Sequence, residues 1–199
     1  MAAQPQPRLT PGEYLELERA SDIRHDYYNG RMYPTNGQME DMAGGSPNHS
    51  AIKINLSGEL RAAAKGTKCR VFDSDLRVAV STDGLYTYPD ITVVCGPLVF
   101  TDARKDTVLN PVLVVEVLSP STESNDRGFK AAQYRSIATL QEYVLVSQTE
   151  LRAEIYRRRA ANEWCLIDVV GLEGTLELSS LGGKIAMAEI YDKVEFDAV

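Results

Sequence analysis

Val112-Leu-Val-Val-Glu-Val-Leu-Ser-Pro-Ser-Thr122 is the stretch on which the fold of this chain turns. From Val112 to Leu118 every residue except Glu116 is apolar, without the polar alternation of a half-buried strand. Such a run predicts a central strand covered on both faces. Ser119-Pro120-Ser121-Thr122 then marks a turn, and a helix is expected over about 123–136. Tyr143 to Ser147 reads as the next strand. The order strand, helix, strand predicts an α/β (α+β) chain dominated by one mixed sheet with helices packed on it.

Working upstream, residues 1–8 read as a tail and 9–199 as a single domain. Thr10-Pro11-Gly12-Glu13 has the form of a capping box with proline in the first helical position, predicting a helix to about Ala20. Asn29-Gly30 between two strand-like runs predicts a hairpin. Residues 36–46 read as a loop, and Ser46-Pro47 opens the main helix, where Ile52, Leu56, Leu60 and Ala63 form the apolar stripe and Gly66 the stop. Cys69 to Val80 reads as strands broken near Asp73-Ser74-Asp75, and Tyr86 to Val94 as a strand interrupted by Pro89. Downstream, Leu151 to Arg159 and Trp164 to Val170 are expected to pair, followed by short strands and a final helical turn.

Of 199 residues, 44% are hydrophobic and 25% charged, which excludes a disordered chain or a coiled coil. No stretch approaches the roughly 18 apolar residues of a membrane helix, and the polar N-terminus lacks a signal-peptide core. The reading is a soluble cytoplasmic protein without an organic cofactor. Cys69, Cys95 and Cys165 lie far apart in an odd number, so they are expected to be small apolar strand residues rather than disulfide or zinc partners. The net charge of −7 speaks against a protein that coats nucleic acid. The acidity is terminal, however: residues 1–43 carry −3 and 160–199 carry −6, whereas 44–159 carry +2.

Two carboxylates stand where the surrounding pattern does not predict them. Asp90 follows Pro89 within Tyr-Pro-Asp-Ile-Thr-Val-Val, and Glu116 interrupts the central run. A carboxylate buried in apolar surroundings is costly unless paired or bound to metal. If the two strands are neighbours, Asp90 and Glu116 converge, and two carboxylates with waters make a reasonable Mg²⁺ site. Lys130, one helix later, supplies an ammonium to orient a water and stabilise charge. Plainer roles stand beside these: Asp90 as a solvent-facing edge residue, Glu116 as an ion-pair partner of Arg127, and Lys130 as a solvated helix lysine.

These residues resemble a bacterial restriction-endonuclease-like family, abundant in cyanobacteria and formerly a domain of unknown function, within the PD-(D/E)XK nuclease superfamily. The likeness is carried by Pro89-Asp90, Asn110-Pro111, Val112–Thr122 and Asp126-Arg127-x-x-Lys130-x-x-x-Tyr134. Weaker matches are Tyr27-x-x-Gly30, Gly45-Ser46-Pro47-x-His49 and Gln141–Val146. The resemblance implies a four-stranded mixed sheet flanked by helices, with an N-terminal hairpin and C-terminal strands added. It also implies a metal-dependent phosphodiesterase site, with Asp90, Glu116 and a backbone carbonyl at Val117 on Mg²⁺ or Mn²⁺. The superfamily's Glu-x-Lys becomes Glu116-Val117-Leu118 here, and Lys130 on the helix matches the displaced lysine. Asp26, His49, Arg127 and Tyr134 are auxiliary candidates: Asp26 completing the acidic cluster or lying on a hairpin surface, His49 contacting phosphate or capping its helix, Tyr134 sharing Lys130's helix face or simply packing. Ser147 departs from the aspartate usual at that position.

Two functions follow: a metal-dependent DNA endonuclease, or a catalytically silent nuclease-like fold kept for DNA binding or protein assembly. Geometry separates them, because the enzyme needs Asp90, Glu116 and Lys130 in one place. Lys53, Arg61, Lys65, Lys68 and Arg70, with Glu59 the single acid between, are candidates for tracking a DNA backbone, as is Arg157-Arg158-Arg159. Cutting two strands takes two sites, so a homodimer is expected, and DNA affinity without metal should be weak and salt-sensitive.

Overall fold

The structure, a computed structural model, describes residues 8–35 and 46–196. The expected tail, apart from Arg8, and the expected 36–46 loop, apart from Ser46, lie outside the described residues. The chain order is α1 (Pro11–Arg19), β1 (His25–Tyr28), β2 (Arg31–Pro34), α2 (Pro47–Ala64), β3 (Cys69–Asp73), β4 (Arg77–Ala79), β5 (Tyr86–Thr87), β6 (Ile91–Cys95), β7 (Thr107–Val108) and β8 (Leu113–Leu118). There follow α3 (Glu123–Asn125), a π-helical turn (Asp126–Lys130) and α4 (Ala131–Arg135), which run on as one helix. Then come β9 (Glu142–Ser147), β10 (Arg152–Ala160), β11 (Glu163–Val170), β12 (Thr175–Leu178), β13 (Gly183–Ala186) and α5 (Met187–Ile190).

The main sheet has six strands in the order β11-β10-β9-β8-β6-β3. It is mixed: β8 runs parallel to β9 and antiparallel to β6. All six residues of β8 are buried, as its sequence predicts. Strand alternation then decides what each one meets. Leu113, Val115 and Val117 join the core under α2 with Ile52, Leu56 and Leu60. Val114 and Leu118 join the opposite core with Ala131 and Tyr134. Glu116 shares the parity of Val114 and Leu118, so it is aimed at the helix that follows its own strand.

A second sheet, β2-β1-β5-β4-β7, stands on the N-terminal side. The capping box at Thr10 forms, with Glu13 accepting from the Thr10 backbone at 2.7 Å. Asn29 (φ 49°) and Gly30 (φ 80°) take the left-handed conformation that a tight hairpin of this hand requires. Tyr14, Tyr27 and Tyr86 pack together behind the hairpin. The strand expected over Tyr86 to Val94 divides at Pro89: β5 belongs to this sheet and β6 to the main one. Proline cannot continue the ladder, so the chain turns there from one sheet into the other. Asp90 therefore sits at the corner where the sheets meet.

The cysteine expectation is overturned. Cys69 and Cys95 lie directly opposite in the β3–β6 register and are joined as a disulfide, while Cys165 is free. Twenty-six residues separate the pair, and only the antiparallel register brings them together. The basic run at the end of β10 also turns inward. Arg157 donates to Glu142 at 2.8 Å, and Arg158 donates to the carbonyls of Leu140, Ile137, Arg135 and Ala161 while stacking on Trp164. Two of the three arginines are thus engaged in holding the fold. Glu142, fully buried, also accepts from Ser179 N, Ser180 N and Ser180 Oγ. Replacing it with alanine leaves Arg157 without its carboxylate, at an expected cost of about 3 kcal/mol, read as a lowered urea midpoint.

No helix among the described residues is long and apolar enough to cross a membrane.

Candidate active site

The helix after β8 carries its chemistry on a π-helical turn. Asp126 and Lys130 bracket that turn and are both buried, at 2% and 7% exposure. Turns of this kind widen a helix locally and recur at functional sites. Lys130 Nζ lies 3.0 Å from Asp126 Oδ1 and donates to Glu116 Oε1 at 3.2 Å. One turn further, Tyr134 OH donates to the same Glu116 oxygen at 3.0 Å. Glu116 is thereby held from the helix side by an ammonium and a phenol.

Asp90, immediately before β6, meets it from the neighbouring strand end. The Asp90 backbone N–H donates to Glu116 Oε2 at 3.2 Å, and Asp90 Oδ2 accepts from Val117 N–H at 2.9 Å. The reciprocal pair fixes the two carboxylates at adjoining strand ends. From α2, His49 Nε2 lies 3.3 Å from Asp90 Oδ2 and Lys53 Nζ 3.6 Å from Asp90 Oδ1. Lys53 also donates to Ser74 Oγ at 2.9 Å. Ser46 caps α2 by accepting from His49 N–H, which settles the first turn of that helix against Asp90.

Charge differs sharply between the two carboxyls. Burial works to raise Asp90, but His49, the Val117 N–H and Lys53 outweigh it and hold the carboxyl below its ordinary range. Burial pushes Glu116 up to about 8, with Lys130 opposing and the Asp126 and Asp90 charges adding to the rise. Burial alone would lower Lys130, yet the carboxylates of Glu116, Asp126 and Asp26 raise it, so it remains an ammonium. Tyr134 is pushed well above the phenol range by burial and by Glu116, so it remains a donor. Burial lifts Asp26 to about 6 against the pull of Lys130, and its Oδ1 is sealed from solvent without a hydrogen-bond partner among the described residues.

The structure therefore brings Asp90, Glu116, Lys130, Tyr134, His49 and Lys53 together, with Asp26 adjoining Lys130. Arg127 is not among them. It turns away to Glu123, at 2.6 Å, and to Glu154, so it is not the partner of Glu116. Arg61, Lys65, Lys68 and Arg70 are exposed beyond the site, and Arg70 donates to the Gly96 carbonyl. Ser147 Oγ accepts from Thr149 N–H and Glu150 N–H at the end of β9. Asp126 goes unassigned at the level of sequence, although its four-residue spacing to Lys130 was a usable signal. Lys53, expected on a DNA-facing surface, lies against Asp90.

Among the described residues no three His, Cys, Asp or Glu side chains form a metal-ligand group. The donors present are nonetheless hard oxygens, two carboxylates beside a strand backbone, as suits Mg²⁺ with its retained waters. Glu116, Asp126 and Asp26 also gather around the single Lys130 ammonium, and a bound divalent cation would take the place of the proton that burial keeps on Glu116. The residues fit such an ion.

A mixed sheet covered by helices on both faces, with acidic residues gathered at β8, the strand that runs antiparallel to β6 on one side and parallel to β9 on the other, is a restriction-endonuclease-like fold. A model of the Uma2 family, described as "Putative restriction endonuclease", matches residues 11–188, and the chain belongs to that family. Two relatives from Synechocystis sp. (strain ATCC 27184 / PCC 6803 / Kazusa) are similar along nearly their whole length. The uncharacterized protein slr1290 is 37% identical over 194 residues, covering 96% of each chain. The uncharacterized protein sll1609 is 33% identical over 171 residues, covering 86% of this chain and 93% of its own. Among solved structures, "a putative nuclease belonging to DUF820" from Anabaena variabilis ATCC 29413 shares the fold, with a TM-score of 0.71 at 19% identity. The match covers 92% of this chain and 97% of that one.

Proposed function

We propose that the chain is a Mg²⁺- or Mn²⁺-dependent DNA endonuclease that works as a homodimer. The observation that carries the proposal is the reciprocal link between Asp90 and Glu116 with Lys130 Nζ 3.2 Å from Glu116. A silent binding fold has no need of two strand-end carboxylates and a buried ammonium in mutual reach.

Asp90, Glu116 and the Val117 carbonyl would hold the cation, which when bound supplies Lewis-acid polarisation of a phosphoryl oxygen. Lys130 orients the attacking water and offsets charge growing on the phosphoryl oxygens. Asp126 and Tyr134 position Lys130 and Glu116 rather than meeting substrate. His49, in the capped first turn of α2, faces Asp90 through Nε2 and helps hold that carboxylate ionised and in place. Lys53 holds Asp90 ionised and adds positive charge for the strand being cut. Arg61, Lys65, Lys68 and Arg70 extend a basic path along α2 and β3 for the flanking backbone.

The test is incubation of purified protein with supercoiled and linear DNA and with single-stranded oligonucleotides. Cutting should require Mg²⁺ or Mn²⁺ and stop with EDTA. Absence of cutting across these substrates and metals overturns the enzyme and leaves the binding fold.

A further inference from the structure

Beside the carboxylate cluster lies a second feature that the chemistry of phosphate cleavage does not use. A cleft of about 380 Å³ opens between the β1–β2 hairpin and the helix bearing Lys130, lined by Asp26, Tyr28, Tyr33, Asn125 and Phe129 among others. Its volume lies at the lower end of the roughly 300–1,000 Å³ of small-ligand pockets, room for one ring system rather than an extended molecule.

The hairpin register explains its aromatic wall. Asp26 pairs with Tyr33 and Tyr28 with Arg31, and residues directly opposite or two apart share a sheet face. Asp26, Tyr28, Tyr33 and Arg31 therefore stand on one side of the hairpin, while Tyr27 packs behind it with Tyr14 and Tyr86. Across the cleft, Phe129 meets Tyr28 edge to face, with centroids 4.7 Å apart. Tyr33 and Phe129 remain 45% and 36% exposed. Two exposed aromatic rings in a concave site are unusual for a core and usual for a stacking platform. Asn125, exposed at the rim, offers both an amide donor and an acceptor.

Position commits the occupant. Phe129 immediately precedes Lys130 on the π-helical turn, and Asp26 at the inner wall adjoins Lys130. A nucleic acid whose phosphate reaches Lys130 carries its neighbouring base to this cleft. A base stacked in a duplex cannot enter a concave site, whereas an unpaired or extruded one can.

We propose that this cleft is a base-binding subsite, in which one unpaired nucleobase next to the phosphate handled at Lys130 stacks on Phe129 and Tyr33 and presents its edge to Asn125. The inference rests on the nuclease reading of the adjoining cluster and deepens it: the preferred substrate is DNA with a single-stranded or extrudable nucleotide. Stacking on aromatic rings is tolerant of base identity, so the subsite selects for strandedness more than for sequence.

Fluorescence anisotropy with end-labelled oligonucleotides tests it, with Ca²⁺ in place of Mg²⁺ to hold DNA uncut. A single strand should bind about tenfold or more tightly than a perfect duplex of the same sequence, and duplex affinity should rise when one nucleotide is left unpaired. Phe129→Ala and Tyr33→Ala should each weaken single-strand binding about tenfold and leave duplex binding unchanged, while Tyr33→Phe restores it. Both rings are partly exposed, and the circular dichroism of each alanine variant is expected to match the parent's. Equal binding of single strand and duplex, or alanine variants that bind single strands as the parent does, overturns the subsite. Cutting with Mg²⁺ is read separately. Base-dependent binding without cutting supports the cleft and overturns the enzyme; cutting without base-dependent binding overturns the cleft alone.

Discussion

Asp90→Asn and Lys130→Met should each reduce Mg²⁺-dependent DNA cleavage by about two to three orders of magnitude while leaving the far-ultraviolet circular dichroism unchanged. The magnitude is that expected when one preorganised charge is removed from a site where charge develops during the reaction. The substitutions are chosen to separate chemistry from folding. Asparagine at 90 keeps an oxygen to accept the Val117 N–H, so the link between β6 and β8 persists while the ligand charge goes. Methionine at 130 keeps the volume of the buried stem and removes the ammonium. Lys130→Ala would add a cavity to the loss of charge, confounding lost activity with lost packing. Tyr134→Phe should have a milder effect, because the phenol touches Glu116 and not the scissile group. If Asp90→Asn and Lys130→Met cut DNA at the parent rate, this cluster is not where cleavage occurs.

The second large effect is an inverted pH dependence of stability. Metal-free protein should become less stable as pH rises from 6 to 8, and Mg²⁺ should flatten the trend. Glu116 is pushed from an ordinary 4.5 to about 8, and Asp26 from 3.8 to about 6. Between the ordinary and raised values the native state holds protons that the unfolded chain has released. Stability therefore declines with rising pH, at up to roughly 1.4 kcal/mol per pH unit for one group. The contribution of Asp26 fades by about pH 6 and that of Glu116 by about pH 8. Asp90, held low, acts only below the ordinary aspartate range, and Lys130, held high, does not change charge in this window. Urea midpoints at pH 6, 7 and 8 read the slope directly. Glu116→Gln should flatten it without metal, since the amide has no proton to lose. A metal-free protein that gains stability between pH 6 and 8 contradicts the proton-holding role of Glu116.

Much of this arrangement was legible in the sequence, for identifiable reasons. Val112–Leu118 could only be a central strand, because its apolar run leaves no face for water. Thr10–Glu13 and Asn29-Gly30 declare a helix start and a turn through local backbone chemistry. Asp90 and Glu116 stood out because carboxylates in apolar runs need partners. What escaped depended on long-range register. The Cys69–Cys95 bond exists because β3 and β6 pair in one offset. The division of Tyr86–Val94 between two sheets followed from Pro89, but composition does not say which sheet each half joins. Arg127 and the arginines of β10 look like free cations in one dimension, yet carbonyls and carboxylates supplied by the fold claim Arg127, Arg157 and Arg158. The aromatic cleft was invisible because Tyr28, Tyr33 and Phe129 come from separate elements.

The parallel pairing of β8 and β9 has a consequence for how the molecule assembles. Glu116, Asp126, Lys130 and Tyr134 all lie on one strand and the crossover helix behind it, and the contacts to Glu116 span only 14 and 18 residues. Loops that short close at little entropic cost, so half of the site can form as the strand–helix–strand unit folds. Asp90, 26 residues from Glu116, joins when β6 pairs, and His49 and Lys53 join only when α2 docks. Lys130, Tyr134 and Asp90 all reach Glu116 through short spans of chain, and only His49 and Lys53 depend on the longer-range docking of α2.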